Sequence, residues 1–256
     1  MGRKAVVYGL DIETDTSEDG LDPRVAAITT VALSSPGHDE TFTGTEADIL
    51  RDLDRRISDL PPGVLATWNG ASFDLPFLAD RACHHGVPLG LRLRLDRRIR
   101  LHHPPLPGHP GAYRGSWYGH GHVDAYRLYR GDVGPALRIS CSLKSIARLV
   151  GLHAVEVDRT RMQDLSREAL HAYAASDARL ARVLTERRWS TASRFVDRVH
   201  DRGDDMPSPG RPDGHDPDRD VDGPARLGPV GRRPFPAATH AAGLRRPAIQ
   251  LRPAVA

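Results

Sequence analysis

At 256 residues, with 39% hydrophobic and only 5% aromatic side chains, the chain is long enough for one sizeable domain but too poor in large apolar groups to pack along its whole length. Its mild net charge of +3 does not argue for a strong nucleic-acid clamp and gives local charge the greater weight. Cys83 and Cys141 form neither a disulfide framework nor a zinc-ribbon spacing, no apolar run is long enough for a membrane span, and the first residues lack a signal-peptide core, so the expectation is a cytoplasmic protein without membrane contact.

Residues 5–14 read as a strand, followed by strands at 25–33 and 40–43, with turns at Asp19-Gly20 and Pro36-Gly37; this is an antiparallel meander. Ile49, Leu50, Leu53, Ile57 and Leu60 then recur at helical spacing until Pro61-Pro62 stops them. A strand at 64–68 is expected to run parallel to the first, because a helix intervenes. A helix over 75–85 ends at Gly86. The Arg-, His-, Pro- and Gly-rich stretch 89–118 reads as a loop or insertion with at most one short strand. A short helix at 143–150, capped by Ser142 or Ser140, precedes a long one from the cap Ser166 to about 189. This order predicts an α/β sheet covered by helices over residues 1–200. The remainder, 201–256, is rich in Asp, Gly, Pro and Arg without periodicity and reads as a disordered tail.

The first strand carries an anomaly. Asp11 and Glu13 are two residues apart, so both point to one face while Ile12 points to the other. Paired carboxylates on a strand otherwise fit for burial are costly unless a cation neutralises them, and all-oxygen ligands suit magnesium or manganese. Asp74 stands at a helix start, where it could equally be an N-cap ahead of Pro76. Leu170, Tyr173, Asp177, Leu180, Ala181 and Leu184 share one helical stripe, which sets Tyr173 and Asp177 one turn apart on the inward face. A buried hydrogen bond to Asp177 is the plainer account of that pair.

Together, Asp11-Ile12-Glu13-Thr14, Asn69-Gly70-Ala71-Ser72-Phe73-Asp74-Leu75-Pro76-Phe77-Leu78 and Tyr173-Ala174-Ala175-Ser176-Asp177 resemble the three motifs of DEDD-superfamily 3′→5′ exonucleases, with the tyrosine of the DEDDy branch. The likeness is to the proofreading domain of B-family DNA polymerases and its stand-alone bacterial relatives, and covers about residues 5–190. It implies a ribonuclease-H-like mixed sheet flanked by helices and two-metal-ion hydrolysis of phosphodiester bonds at a 3′ end. By the resemblance Asp11 bridges two Mg2+ or Mn2+ ions, Glu13 and Asp177 complete the site of the attacking water, Asp74 supports the second ion, and Tyr173 orients the water. Thr14, Asn69 and Phe73 would contact the substrate, Phe73 by stacking on a base or else by packing in the core. The basic run 92–100, with Arg97 and Arg98, and the later Tyr113, Trp117 and Tyr118 suit a single strand, although Arg92-Leu93-Arg94-Leu95 also fits a solvated edge strand. The expected partner is a nucleic acid with a single-stranded 3′ end, DNA rather than RNA.

Two rivals stand beside this reading. His120-Gly121-His122-Val123-Asp124 has a metal-ligand spacing and allows a His-x-His metallohydrolase. A non-catalytic nucleic-acid-binding module on the same fold is the other.

Overall fold

The computed structural model describes residues 5–197; the expected tail at 201–256 lies outside the described residues. A seven-stranded mixed sheet organises the chain in the order β3-β2-β1-β4-β7-β6-β5. At its centre β1 (Val7–Thr14), β4 (Val64–Thr67) and β7 (His120–Asp124) run parallel. The meander β2 (Ile28–Ser35) and β3 (His38–Phe42) extends one side and β6 (Tyr113–Trp117) with β5 (Leu91–Leu95) the other, all antiparallel to their neighbours. This is the α/β architecture the sequence predicts.

Helices cover both faces. On one lie α1 (Glu46–Asp59), capped by Thr45, and α2 (Asp74–His84). The α1 stripe Ile49, Leu50, Leu53 and Ile57 packs with Leu10 and Ile12 of β1 and with Phe77 and Leu78 of α2. On the other face lie α3 (Ala125–Arg130), α4 (Val133–Leu137), α5 (Leu143–Leu149), the long α6 (Arg167–Arg187) and α7 (Trp189–Ala192). Their apolar residues gather around Val64, Val123, Ile146 and Leu184. Ser142 caps α5 and Ser166 caps α6. Among the described residues no helix is long and apolar enough to cross a membrane.

The stretch 89–118 corrects the sequence reading, because it holds two strands rather than at most one. In β5 the leucines turn toward the core and the arginines outward, so Arg92 and Arg94 belong to a solvated edge strand. The β6 sequence Tyr-Arg-Gly-Ser-Trp looks irregular, yet Gly115 is required where Leu75 presses to within 2.6 Å of any added Cβ, and Trp117 is fully buried. Asp54 of α1 fastens this hairpin, accepting hydrogen bonds from Gly90 N–H (2.8 Å), Trp117 Nε1–H (2.7 Å) and the Tyr118 hydroxyl.

A buried ion pair ties α1 to α2. Glu46 accepts two hydrogen bonds from Arg81 (2.6 and 2.8 Å) and one from Ile28 N–H (2.7 Å), with both charged side chains 7% exposed. Glu46→Ala would leave the Arg81 guanidinium buried without its partner, at a cost of about 3–5 kcal/mol. Thermal melting of this variant is expected roughly 10 °C below that of the parent chain.

Candidate active site

The site forms at the C-terminal ends of the three parallel strands, where α/β sheets of this kind open a crevice. Asp11 and Glu13 leave β1 on the face covered by α6, while Leu10 and Ile12 enter the core on the other. What brings α6 close is the absence of side chains. A Cβ on Gly9 would sit 1.8 Å from the Ala178 carbonyl oxygen, and Ala32, Ala174 and Ala178 form a small-residue seam beside it. Asp177 and Tyr173 are therefore carried to the carboxylates of β1. Gly9→Ala must push α6 outward without touching any acid. Since a displacement of about 1 Å can cost on the order of 100-fold in rate, a loss of that size is expected in steady-state turnover assays.

Asp74 arrives from the turn between β4 and α2. The sequence allowed it to be an N-cap, but the cap position is Phe73, and no side-chain bond closes the helix there. Asp74 is the first helical residue and 3% exposed. Asp11, Glu13, Asp74, Tyr173 and Asp177 all line one cleft of about 820 Å3. Burial pushes the Asp11 carboxyl well above its usual range, the charges of Glu13 and Asp74 push it further, and the Lys144 ammonium opposes them. Burial likewise raises Asp74 to about 8, helped by the negative charges of Asp124 and Glu13 and opposed by the backbone amides of Asp74 and Ile12.

Sequence reasoning missed Lys144. Its ammonium pairs with Asp177 and lies 4.4 Å from the Tyr173 ring centroid. The available signal was its rarity, since Lys4 is the only other lysine in an arginine-rich chain. Among the described residues no three His, Cys, Asp or Glu side chains already stand in coordinating positions. The cluster nevertheless fits hard cations in its chemistry: every donor is a carboxylate oxygen, and the crowding that disfavours the ionised forms of Asp11 and Asp74 is what a divalent ion would relieve.

The other expected contacts divide. Thr14, Asn69 and Phe73 line the cleft. Thr14 donates to the Gly20 carbonyl at 2.7 Å. Phe73 packs against the core, with its ring 5.4 Å from Phe77, and also lines the cleft. Arg97 and Arg98 do not line it: both are exposed in the turn after β5, and the arginines that reach the cleft are Arg100 and Arg127. The aromatic residues expected beside them are elsewhere too. Tyr113 is buried against His109, Trp117 is in the core, and Tyr118 is bound to Asp54.

Residues 99–107 instead form a cleft wall, contributing His102, His103 and Leu106. Leu106 is buried in the core, and His109 bonds Asp80 (2.9 Å) and Tyr113 (2.8 Å), which pins the segment.

His120 and His122 are not a metal pair. His120 accepts from Gly63 N–H (3.2 Å) and donates to the Ile57 carbonyl (3.1 Å), and His122 pairs with the Thr67 hydroxyl at 2.8 Å. Burial, then the nearby Arg127 charge, depresses His122 to about 3, so the ring is neutral.

Comparisons with known proteins agree with this geometry. The family model "DNA polymerase family B, exonuclease domain" matches residues 8–146, which include Asp11, Glu13, Asp74 and Lys144 and stop before Tyr173. Over 53 residues the chain is 40% and 36% identical to two DNA polymerase epsilon catalytic subunits of Arabidopsis thaliana, spanning 21% of this chain and 2% of each relative. The family B DNA polymerase of the archaeon Pyrobaculum calidifontis shares the fold, with a TM-score of 0.57 and 22% identity over 72% of this chain and 24% of that one. The chain thus spans a small part of the length of these relatives. With the family model covering more than half of the sequence and the acids gathered at the mouth of the same fold, the chain belongs to the exonuclease-domain family of family B DNA polymerases and is a 3′→5′ exonuclease hydrolase of that family.

Proposed function

We propose that the protein removes nucleotides one at a time from single-stranded 3′ ends of DNA. The observation that carries this reading is the meeting of Asp11, Glu13, Asp74 and Asp177 with Tyr173 in one cleft, from elements far apart in the chain. Two divalent cations, magnesium or manganese, would be held by these four acids, and would supply an activated water and charge neutralisation at the leaving 3′ oxygen. Glu13 and Asp177 would serve the ion that activates the water, Asp74 the ion that faces the leaving oxygen, and Asp11 would serve both. The Tyr173 hydroxyl orients the water; an ordinary phenol is already protonated at neutral pH and so is not free to take the water's proton. Lys144 balances the negative charge of Asp177 and Asp11 and offers a positive charge to the scissile phosphate.

For the strand itself, Phe73 and Leu106 give an apolar wall for bases, and Arg100 and Arg127 give charge for phosphates. The choice of DNA follows the named activity of the matched family. The test is purified protein with Mg2+ and labelled single-stranded DNA, duplex DNA or RNA, beside Asp177→Ala. Stepwise shortening of the single-stranded DNA from its 3′ end, lost in the variant, is expected. Binding of DNA without digestion would favour the non-catalytic module instead.

A further inference from the structure

The strand His120-Gly121-His122-Val123-Asp124 has no part in the reaction described so far, yet its last residue touches the site. Asp124 is 5% exposed and ends β7. Its Oδ1 accepts Tyr126 N–H at 3.0 Å, which caps α3. The same carboxylate reaches sideways to the end of β4, where Oδ1 accepts Asn69 N–H at 2.9 Å and Oδ2 accepts Ala71 N–H at 3.3 Å. The amide between them, Gly70 N–H, donates to Thr67 Oγ1 at 3.1 Å, and that hydroxyl is the partner of His122. Every amide from 69 to 71 is thus held by β7, directly or through Thr67.

The segment so held is the turn that delivers Asp74. Asn69 sits at φ +74°, in the left-handed region that asparagine enters more readily than most non-glycine residues and that shapes the turn. Within the turn, Phe73 N–H bonds the Asn69 carbonyl (3.1 Å) and Leu75 N–H the Gly70 carbonyl (3.0 Å). A shift at 69–71 therefore passes straight into the first turn of α2.

A helix cap alone would not need this residue. Asn or Ser would cap α3 as well as Asp does. A neutral cap would also spare Asp74 a neighbouring negative charge, which the fold here accepts. What Asp uniquely offers is two oxygens that only accept, enough for amides on two different elements. With both oxygens engaged by N–H donors, Asp124 is also poorly suited to be a cation ligand itself.

We propose that Asp124, seconded by His122 through Thr67, is a positioning residue that sets the 69–74 turn and thereby the aim of Asp74 at the cation site. The inference rests on the metal-dependent reading above, and its test reads cation binding apart from activity. Mn2+ is titrated into the full chain by calorimetry, and amide hydrogen exchange is followed at Asn69 and Ala71. In Asp124→Asn the side-chain amide faces an N–H donor it cannot accept. Faster exchange at those amides and an affinity for Mn2+ weakened about 10- to 100-fold are expected, with turnover largely restored at high Mn2+.

Unchanged Mn2+ affinity in a folded Asp124→Asn would overturn the proposal. So would complete loss of one Mn2+ equivalent that no concentration restores, since that would make Asp124 a ligand. Thr67→Val cuts only the His122 branch and guards against misfolding of the first variant. It should weaken Mn2+ in the same direction, by about 3- to 10-fold, and an unaltered affinity there would also count against the clamp. If the parent chain binds no Mn2+, the nuclease reading itself has failed; if it binds and the variants match it, only the positioning role has.

Discussion

Asp11→Asn is expected to lower nucleotide release by about a thousandfold or more while leaving the fold intact. The amide keeps the shape of the carboxyl but not its charge, and a neutral carbonyl oxygen is a poor bridge between two hard cations. The fold should gain rather than lose. Burial, Glu13 and Asp74 all disfavour the ionised form of Asp11, so removing its charge relieves repulsion in the metal-free protein. Single-turnover release, measured with thermal melting on the same preparation, separates this from ordinary damage. Loss of activity with an equal or higher melting temperature is the expected pair of results. A large fall in both would mean that Asp11 supports structure and not chemistry.

The second large effect couples pH, stability and metal. Asp74 is raised from 3.8 to about 8 in the folded chain. Native protein therefore holds a proton that the unfolded chain has already lost, so the stability this group contributes is present in acid and is lost as pH rises toward 8. Other buried groups cloud the acid side, His122 and Asp197 among them. His122, depressed from 6.5 to about 3, contributes stability with the opposite slope below 6.5, and the contribution of Asp197, raised to about 6 mainly by burial, is already lost by that pH. The clean window is pH 6.5 to 8, where metal-free melting should fall by roughly 5 °C. Asp11 adds to the fall in the same direction. Millimolar Mg2+ should reverse it, since the cation takes the place of the protons, and Mg2+ affinity should climb across the same window. Asp74→Asn should abolish most of the slope and most of the Mg2+ response. Melting curves at stepped pH, with and without Mg2+, check all of this.

The sequence made the acids legible because they break local rules. Asp11 and Glu13 violate the apolar pattern of a central strand, and Asp177 interrupts an apolar helical stripe. The partners of the groups that arrange them are not written locally. Asp124 acts on Asn69 and Ala71 across more than fifty residues of chain, and Lys144 meets Asp177 from another helix. Gly9 lies within the first strand with nothing beside it in sequence to show that the approach of α6 depends on it. The hairpin β5–β6 was hidden for a related reason. Its inward positions include Gly115, whose missing side chain is the adaptation, so no hydrophobic alternation announces the strand. Arg97 and Arg98 lie outside the cleft lining, because charge in the sequence says nothing about which way a turn faces.

Whether distant carboxylates share a pair of ions is tested directly by anomalous scattering from crystals grown with Mn2+ and a short single-stranded DNA. Two peaks about 3.5–4 Å apart are predicted, with Asp11 touching both, Asp74 beside one, and Lys144 withdrawn from Asp177. Fully occupied Mn2+ elsewhere, with the Lys144–Asp177 pair intact and no peak at Asp11, would contradict it.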